Sequence, residues 1–354
     1  MVQKFSELQY ESLAIGSLPH TDLGKAMEVV KNNFKIPFWP QLVKLKKNED
    51  MILQFLENMP SFFCEKEKIY LEVESEKFFT DLEKFFLDYD NIDENCNSNL
   101  LDNYAIKNSA AFPKFIEIIK NTEPHFAKGQ IVGPFTLSTT LTDKSGKPAF
   151  YDETLKEIIV KTLILKALWQ IKEIKKANSS TTPIIFIDEP SISQLGTSAY
   201  ISVSNEEVVD MIKLISDVIK KNGGLSAIHC CGKCNWTIPI KSGVNIINPD
   251  VYNYAKNLST FSDDLKEFIN NDGKIAWGVV PTLDENALKD ISLEKIIDIF
   301  ENAVKYLTKK GINEKIIKEH SLFTPTCGAG ALSENLAIKA MELVRELSER
   351  YYDI

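Results

Sequence analysis

Apolar residues along the chain gather in eight short runs, each followed by residues that favour loops. The runs are LAIGS (13–17), IPFWP (36–40), QIVGPF (130–135), PIIFIDEP (183–190), LSAIHC (225–230), VNIIN (244–248), KIAWGVV (274–280) and SLFTP (321–325). Most are rich in Ile, Val and Phe and are bounded by Gly, Pro or Asn, as strands are. They are continuous rather than alternating, which suits parallel strands covered on both faces. Between most of them the period changes to that of a helix. Thr154–Ala177 carries apolar residues at i, i+3, i+4 spacing. Ser204 and Glu207 form a capping box ahead of NEEVVDMIKLISDVIKK, and Gly223-Gly224 closes that helix. Two further helices are predicted over Ser292–Lys310 and from Ser333 to the C-terminus. Strand and helix alternating eight times predict a (β/α)8 TIM barrel.

One stretch breaks the rhythm. Residues 41–129 separate the second and third predicted strands and contain helical patterns such as EDMILQFLENM and SEKFFTDLEKFFLDY. That is too long for a loop, so a mostly helical insertion at the barrel mouth is expected, within a single catalytic domain spanning 1–354. The acidic, Asn-rich DYDNIDENCNSN (88–99) reads as an exposed connection.

Composition narrows the function classes. With 354 residues and 44% hydrophobic content, the chain can bury a large core. A net charge of −9 argues against nucleic acid as the main partner. Arginine is confined to Arg345 and Arg350, so the usual bidentate clamp for carboxylates and phosphates is almost absent. The N-terminus has no apolar signal core, and the longest apolar run, IIVKTLILKALWQI, is broken by lysines. No membrane partner is expected, and the location expected is cytoplasmic. Six cysteines fit no disulfide framework; Cys230, Cys231 and Cys234 crowd beside His229, which suggests metal or catalysis in a reducing compartment.

Polar residues of unusual type fall at the C-terminal ends of the predicted strands or just after them: Ser17 and His20, Thr136, Asp188 and Glu189, His229 and Cys231, Asn248 and Asp250, and Cys327. That is where a parallel barrel places its active site. His229 and Cys231 are two apart, so on an extended chain both side chains point the same way. One imidazole and two thiolates suit zinc, and three protein ligands leave a position open for catalysis.

The motifs IGSLPHTD, IVGPFTL, FIDEPS, HCCGKCNW and TPTCG, in this order, resemble the C-terminal catalytic barrel of cobalamin-independent methionine synthase. Wider relatives of that barrel are the zinc-dependent methyltransferases of methylotrophic metabolism and uroporphyrinogen decarboxylase. The resemblance covers the chain apart from the insertion. It implies that His229, Cys231 and Cys327 bind zinc. It also implies that Ser17 and Asp188 hold the amino group of homocysteine, with Glu189 buttressing them. Ile15, Gly16, His20 and Asn248 complete the substrate-binding set expected on this basis. A carboxylate is a good partner for a substrate ammonium.

Three departures shape the expectation. The synthase has a glutamate ligand where this chain has Asn248, which leaves Asp250 as a candidate fourth ligand, or the fourth position to water until substrate arrives. The N-terminal domain that helps the synthase bind folate has no counterpart in this sequence, which favours methylcobalamin or another methylcorrinoid as donor, free or on a carrier protein. An imidazole after the seventh strand is also missing, with Leu283 near its place. The expected activity is methylation of a thiol, homocysteine in the first place. Alternatives are a coenzyme M-like thiol, a decarboxylase-like enzyme, and a non-enzymatic corrinoid-handling protein. Plainer readings stand beside these. Cys230 and Cys234 could form a structural zinc knuckle with His229. His125 and His320 read as surface or satisfied histidines, Trp39, Trp236 and Trp277 as core, and Cys64 and Cys96 as inert.

Overall fold

A computed structural model describes residues 5, 7–65, 68–92 and 99–352. Helix α1 (Leu23–Asn33) comes first, its N-terminus capped by Asp22. The 41–129 stretch then holds a small antiparallel hairpin, β1 (Phe62–Glu65) and β2 (Lys68–Leu71), with helices α2 (Glu76–Asn91) and α3 (Phe112–Thr122). Strand β3 (Phe126–Val132) leads to α4 (Pro134–Thr140) and the long α5 (Glu153–Ala177). After β4 (Thr182–Asp188) come α6 (Asn205–Lys221), β5 (Leu225–Cys230), α7 (Thr237–Lys241) and β6 (Ile246–Pro249). Helices α8 (Val251–Leu258) and α9 (Ser262–Asn270) precede β7 (Lys274–Val280). Helices α10 (Glu285–Asp290), α11 (Leu293–Thr308) and α12 (Glu314–Glu319) then lead to β8 (Ser321–Pro325) and α13 (Glu334–Tyr352).

The main sheet has six parallel strands in the order β3-β4-β5-β6-β7-β8. It curves as an open half-barrel. This corrects the expectation of a closed (β/α)8 barrel: the first two predicted strands do not form. Segment 12–17 meets β8 at a single bridge, Ser12 to Phe323, and segment 36–41 meets β3 at another, Phe38 to Lys128. The two segments touch each other once, at Ser17 and Gln41. Local chemistry explains why no ladder develops. In the second segment Pro37 and Pro40 carry no N–H to donate, and Pro19 stands just past the end of the first; proline is poorly tolerated inside a sheet.

Each of β3, β5, β6, β7 and β8 is buried along its whole length, and β4 is buried after its first residue. Continuous apolar runs are therefore read correctly as strands covered on both sides. One cluster of side chains fills the concave face. It takes Phe126, Ile184, Phe186, Leu225, Ala227, Ile246, Ala276 and Leu322 from the six strands, and Leu13 and Ile36 from the two edge segments. The larger core lies on the convex face, between the sheet and the helices. The Ser204 cap appears as expected, with its side chain accepting the Glu207 N–H at 3.1 Å. Among the described residues, no helix is long and apolar enough to cross a membrane.

Candidate metal centre

His229 is the penultimate residue of β5, Cys231 follows that strand directly, and Cys327 lies two residues beyond β8. Their ligand atoms all lie within 4.8 Å of one another, and among the described residues this is the one group of three such side chains close enough to hold a metal. His229 is buried, whereas both cysteines are half-buried. A substrate can therefore reach the sulfurs while the imidazole is held from behind.

Asn248 does the holding. Its Nδ2 donates to the Thr324 hydroxyl at 2.8 Å and to the Ala276 carbonyl. A carbonyl can only accept, so the amide has one possible orientation, and Oδ1 must face His229. It does so at 2.7 Å from Nδ1. Nδ1 therefore carries a proton and donates it. Nε2 is left buried without a hydrogen-bond partner, facing the sulfurs. A metal-binding histidine is usually oriented by a hydrogen bond at its other nitrogen in this way. The polar atoms of Asn248 are all committed to this task, so the structure gives it an orienting place rather than one among substrate contacts.

Cys327 is fixed through its backbone. Its N–H donates to the Thr282 hydroxyl at 3.0 Å, and the same hydroxyl donates to the Cys327 carbonyl at 2.8 Å. Thr326 supports this clasp by accepting the Thr282 N–H. On the other side, Ser17 Oγ accepts the Gly330 N–H at 3.1 Å, and the Ser17 carbonyl accepts the Ala329 N–H at 2.9 Å. A Cβ on Gly328 would lie 2.2 Å from Ser17 Oγ, so only glycine allows this approach. Ser17 thus anchors the loop that carries Cys327. Thr282 and Thr326 were not legible as site residues in the sequence; their signal is only that they follow the strands beside Cys327.

The electrostatics of the three side chains are coupled. A hydrogen bond from the Cys327 thiol lowers Cys231 to about 4 against the effect of burial, with His229 helping. The same bond, together with burial, pushes the Cys327 thiol well up. Burial pulls His229 down, but the neighbouring Cys231 sulfur and Asp188 outweigh it and raise the imidazole to about 9. Nε2 makes no well-formed hydrogen bond, yet it lies close enough to Cys231 to share this charge.

Asp188 ends β4, beside His229 in the sheet register. It is buried, and its Oδ1 has no hydrogen-bond partner. Burial raises its pKa against the pull of Lys128 and His229. Glu189 is fully committed instead. Its two oxygens accept the Phe135 N–H at 2.8 Å, the Thr136 N–H at 2.9 Å and the Thr136 hydroxyl at 2.6 Å. Glu189 therefore fixes the start of α4, where an anion is also favoured. A Cβ on Gly133 would lie 2.0 Å from the Glu189 carboxyl carbon, which accounts for the glycine in IVGPFTL.

Asp250, expected as a fourth ligand, caps α8. One oxygen accepts the Asn253 N–H at 3.0 Å and the other the Asn253 side-chain amide at 2.7 Å. It is outside the three-residue group. The Ile15 carbonyl takes a hydrogen bond from the Lys128 ammonium, and the Gly16 carbonyl one from the Gln41 N–H. Both carbonyls are thus used within the protein. His20 is turned toward Glu334 and Lys25 and lines a 420 Å³ cavity beside α1 and α13, with Nδ1 unpartnered. Cys230 and Cys234 are buried, the Cys230 thiol faces the Gly232 carbonyl, and neither is in the three-residue group. His125 is exposed, His320 bonds the Ile316 carbonyl, and Trp39, Trp236 and Trp277 are core. Leu283 is exposed. Cys96 and the side chain of Cys64 lie outside the described residues.

Compared with known proteins, the chain matches no family model and no curated protein.

Proposed function

We propose that the chain is a zinc-dependent methyltransferase that methylates the sulfur of an amino-bearing thiol. The observation that carries this reading is the buried, unpartnered Nε2 of His229 facing two thiols, next to the unpartnered carboxylate oxygen of Asp188. The donor set fits zinc: one borderline nitrogen, two soft sulfurs, and an open side. Bound there, zinc would keep a substrate sulfur deprotonated and nucleophilic at neutral pH. The chain's own residues have separate tasks. Asn248 keeps the Nε2 lone pair of His229 directed at the site. Thr282 and Ser17 hold the Cys327 loop. Asp188 offers an anionic acceptor for the ammonium of the substrate, and a pre-placed contact of this kind orients the sulfur for attack.

Homocysteine fits this arrangement as acceptor, because it carries both the thiol and the ammonium. A coenzyme M-like thiol would bring its sulfonate toward the Asp188 carboxylate, which is repulsive. A decarboxylase-like reading lacks support from arginine, since Arg345 is engaged by Asn33 and Glu349. A methylcorrinoid donor rests on the resemblance to the methionine synthase barrel and on that alone.

The test is elemental analysis of chelator-free protein, paired with methyl transfer from methylcobalamin to homocysteine. The expected result is about one zinc per chain and formation of methionine. Asp188→Asn should raise the acceptor KM at least tenfold while zinc content is unchanged, because the loss of a charged contact is worth about 1.5–3 kcal/mol. Protein that neither contains nor takes up zinc would overturn the reading. An unchanged KM in Asp188→Asn would remove Asp188 from it.

A further inference from the structure

We propose that Lys128 is a positioning residue for the metal centre, acting through the Ile15–Ser17 segment on the loop of Cys327. The inference rests on the reading above that His229, Cys231 and Cys327 hold a metal. Lys128 lies on β3, is fully buried, and reaches into the concave side of the sheet. Its ammonium donates to the Ile15 carbonyl and to Gln130 Oε1 at 3.0 Å, and it lies 4.5 Å above the Phe186 ring. A buried ammonium is tolerated only with partners of this kind.

These partners belong to one buried polar set at the place where the sheet stops. Gln130 Nε2 donates to the Trp39 carbonyl at 2.9 Å. The Gln130 backbone exchanges two hydrogen bonds with the Gln170 amide, at 3.2 and 3.0 Å. The Trp39 indole donates to Gln170 Oε1 at 3.0 Å. The set joins β3 and α5 to both edge segments. Lys128 is the member that reaches Ile15, in a segment that has one bridge to β8 and none to β3. Two residues further on, Ser17 binds the Gly330 and Ala329 N–H groups. A path of bonds therefore runs from β3 through Lys128, Ile15 and Ser17 to the loop that presents the Cys327 sulfur. Lys128 bonds none of the three ligand side chains; besides this path of bonds its charge acts on Asp188, beside His229, and Ser17→Ala tests the path with that charge left in place.

The test compares Lys128→Met with Lys166→Met. Lys166 is an equally buried lysine, on α5, but its ammonium holds the carbonyls of Glu57 and Ala105 in the insertion, away from this path. Zinc affinity would be measured by competition with a chromogenic chelator, and Cys327 ligation by the thiolate-to-metal absorption of the cobalt(II) form. Lys128→Met should weaken zinc binding about 10- to 100-fold and change the cobalt spectrum. Lys166→Met should lower the melting temperature and leave both metal readouts as in wild type. If Lys128→Met does not fold, Ser17→Ala cuts the same path nearer the ligand and should give the same metal signature. Wild-type affinity and spectrum in Lys128→Met, or in Ser17→Ala where that is the variant measured, would overturn the proposal. So would an equal loss in Lys166→Met, which would mean general loosening. A wild-type chain that gives no cobalt–thiolate band in the first place would overturn the metal reading itself, a result distinct from failure of the Lys128 path.

Discussion

Asn248 determines which nitrogen of His229 is free, because its own amide can sit only one way round. A single side chain thus converts an ambiguous imidazole into a defined donor. The same residue-scale reasoning predicts how metal uptake depends on pH. Without metal, His229 is held up to about 9, Cys231 is down to about 4, and Cys327 is raised. At pH 7 the site therefore holds an imidazolium, one thiolate and one thiol. A metal needs the neutral imidazole and two thiolates, so zinc uptake at pH 7 should release about two protons. Affinity should rise as pH increases from about 4 toward about 9, since each step removes a competing proton. Calorimetric titration in buffers of different ionisation enthalpy measures this release directly. Release near zero would mean that the three side chains are not the ligands.

At the scale of elements, capping gives Asp250 a task that its sequence position does not reveal. Asp250 sits two residues from Asn248 and has the chemistry of a ligand, but both of its oxygens serve the first turn of α8. An N-cap satisfies backbone N–H groups that the helix itself cannot. Asp250→Ala should therefore cost about 1 kcal/mol of stability in denaturant unfolding, with zinc stoichiometry and affinity unchanged. A loss of zinc binding with little change in stability would reverse this assignment. The edge segments give the opposite lesson. LAIGS and IPFWP are apolar enough to be strands, and they do lie against β8 and β3, but each makes only one bridge to the sheet and one to the other. Proline removes donors that a ladder needs, so hydrophobicity alone does not complete a strand.

The whole molecule is organised around the concave side of the half-barrel. Apolar residues from all six strands and both edge segments meet there, with Phe186 among the fully buried. Phe186 also lies under the Lys128 ammonium. Phe186→Ala should cost about 3–5 kcal/mol of global stability, and the loss should be seen alike by fluorescence and circular dichroism in denaturant. A loss below 1 kcal/mol would mean that this cluster is peripheral to folding. Much of this organisation was legible in the chain. The six runs from 130 to 325 fall on parallel strands, although β3 begins at Phe126, inside the stretch expected as an insertion, and Pro134 already starts a helix; the long helices fell within a residue or two of their expected limits. His229 and Cys231 share a side because side chains alternate along an extended chain, a rule that needs no distant contact. Three things depended on tertiary structure. Cys327 approaches Cys231 from almost a hundred residues away because β5 and β8 curve within one sheet. Asn248 and Asp250 divide orienting and capping between them only once β6 is set between β5 and β7. Whether the sheet closes was decided at its two edges, by segments whose bridging partners in the sheet lie far along the chain. Local pattern specifies what a segment can become, because period and propensity act over a few residues. Pairing and ligand geometry are settled by contacts between segments that the pattern does not connect.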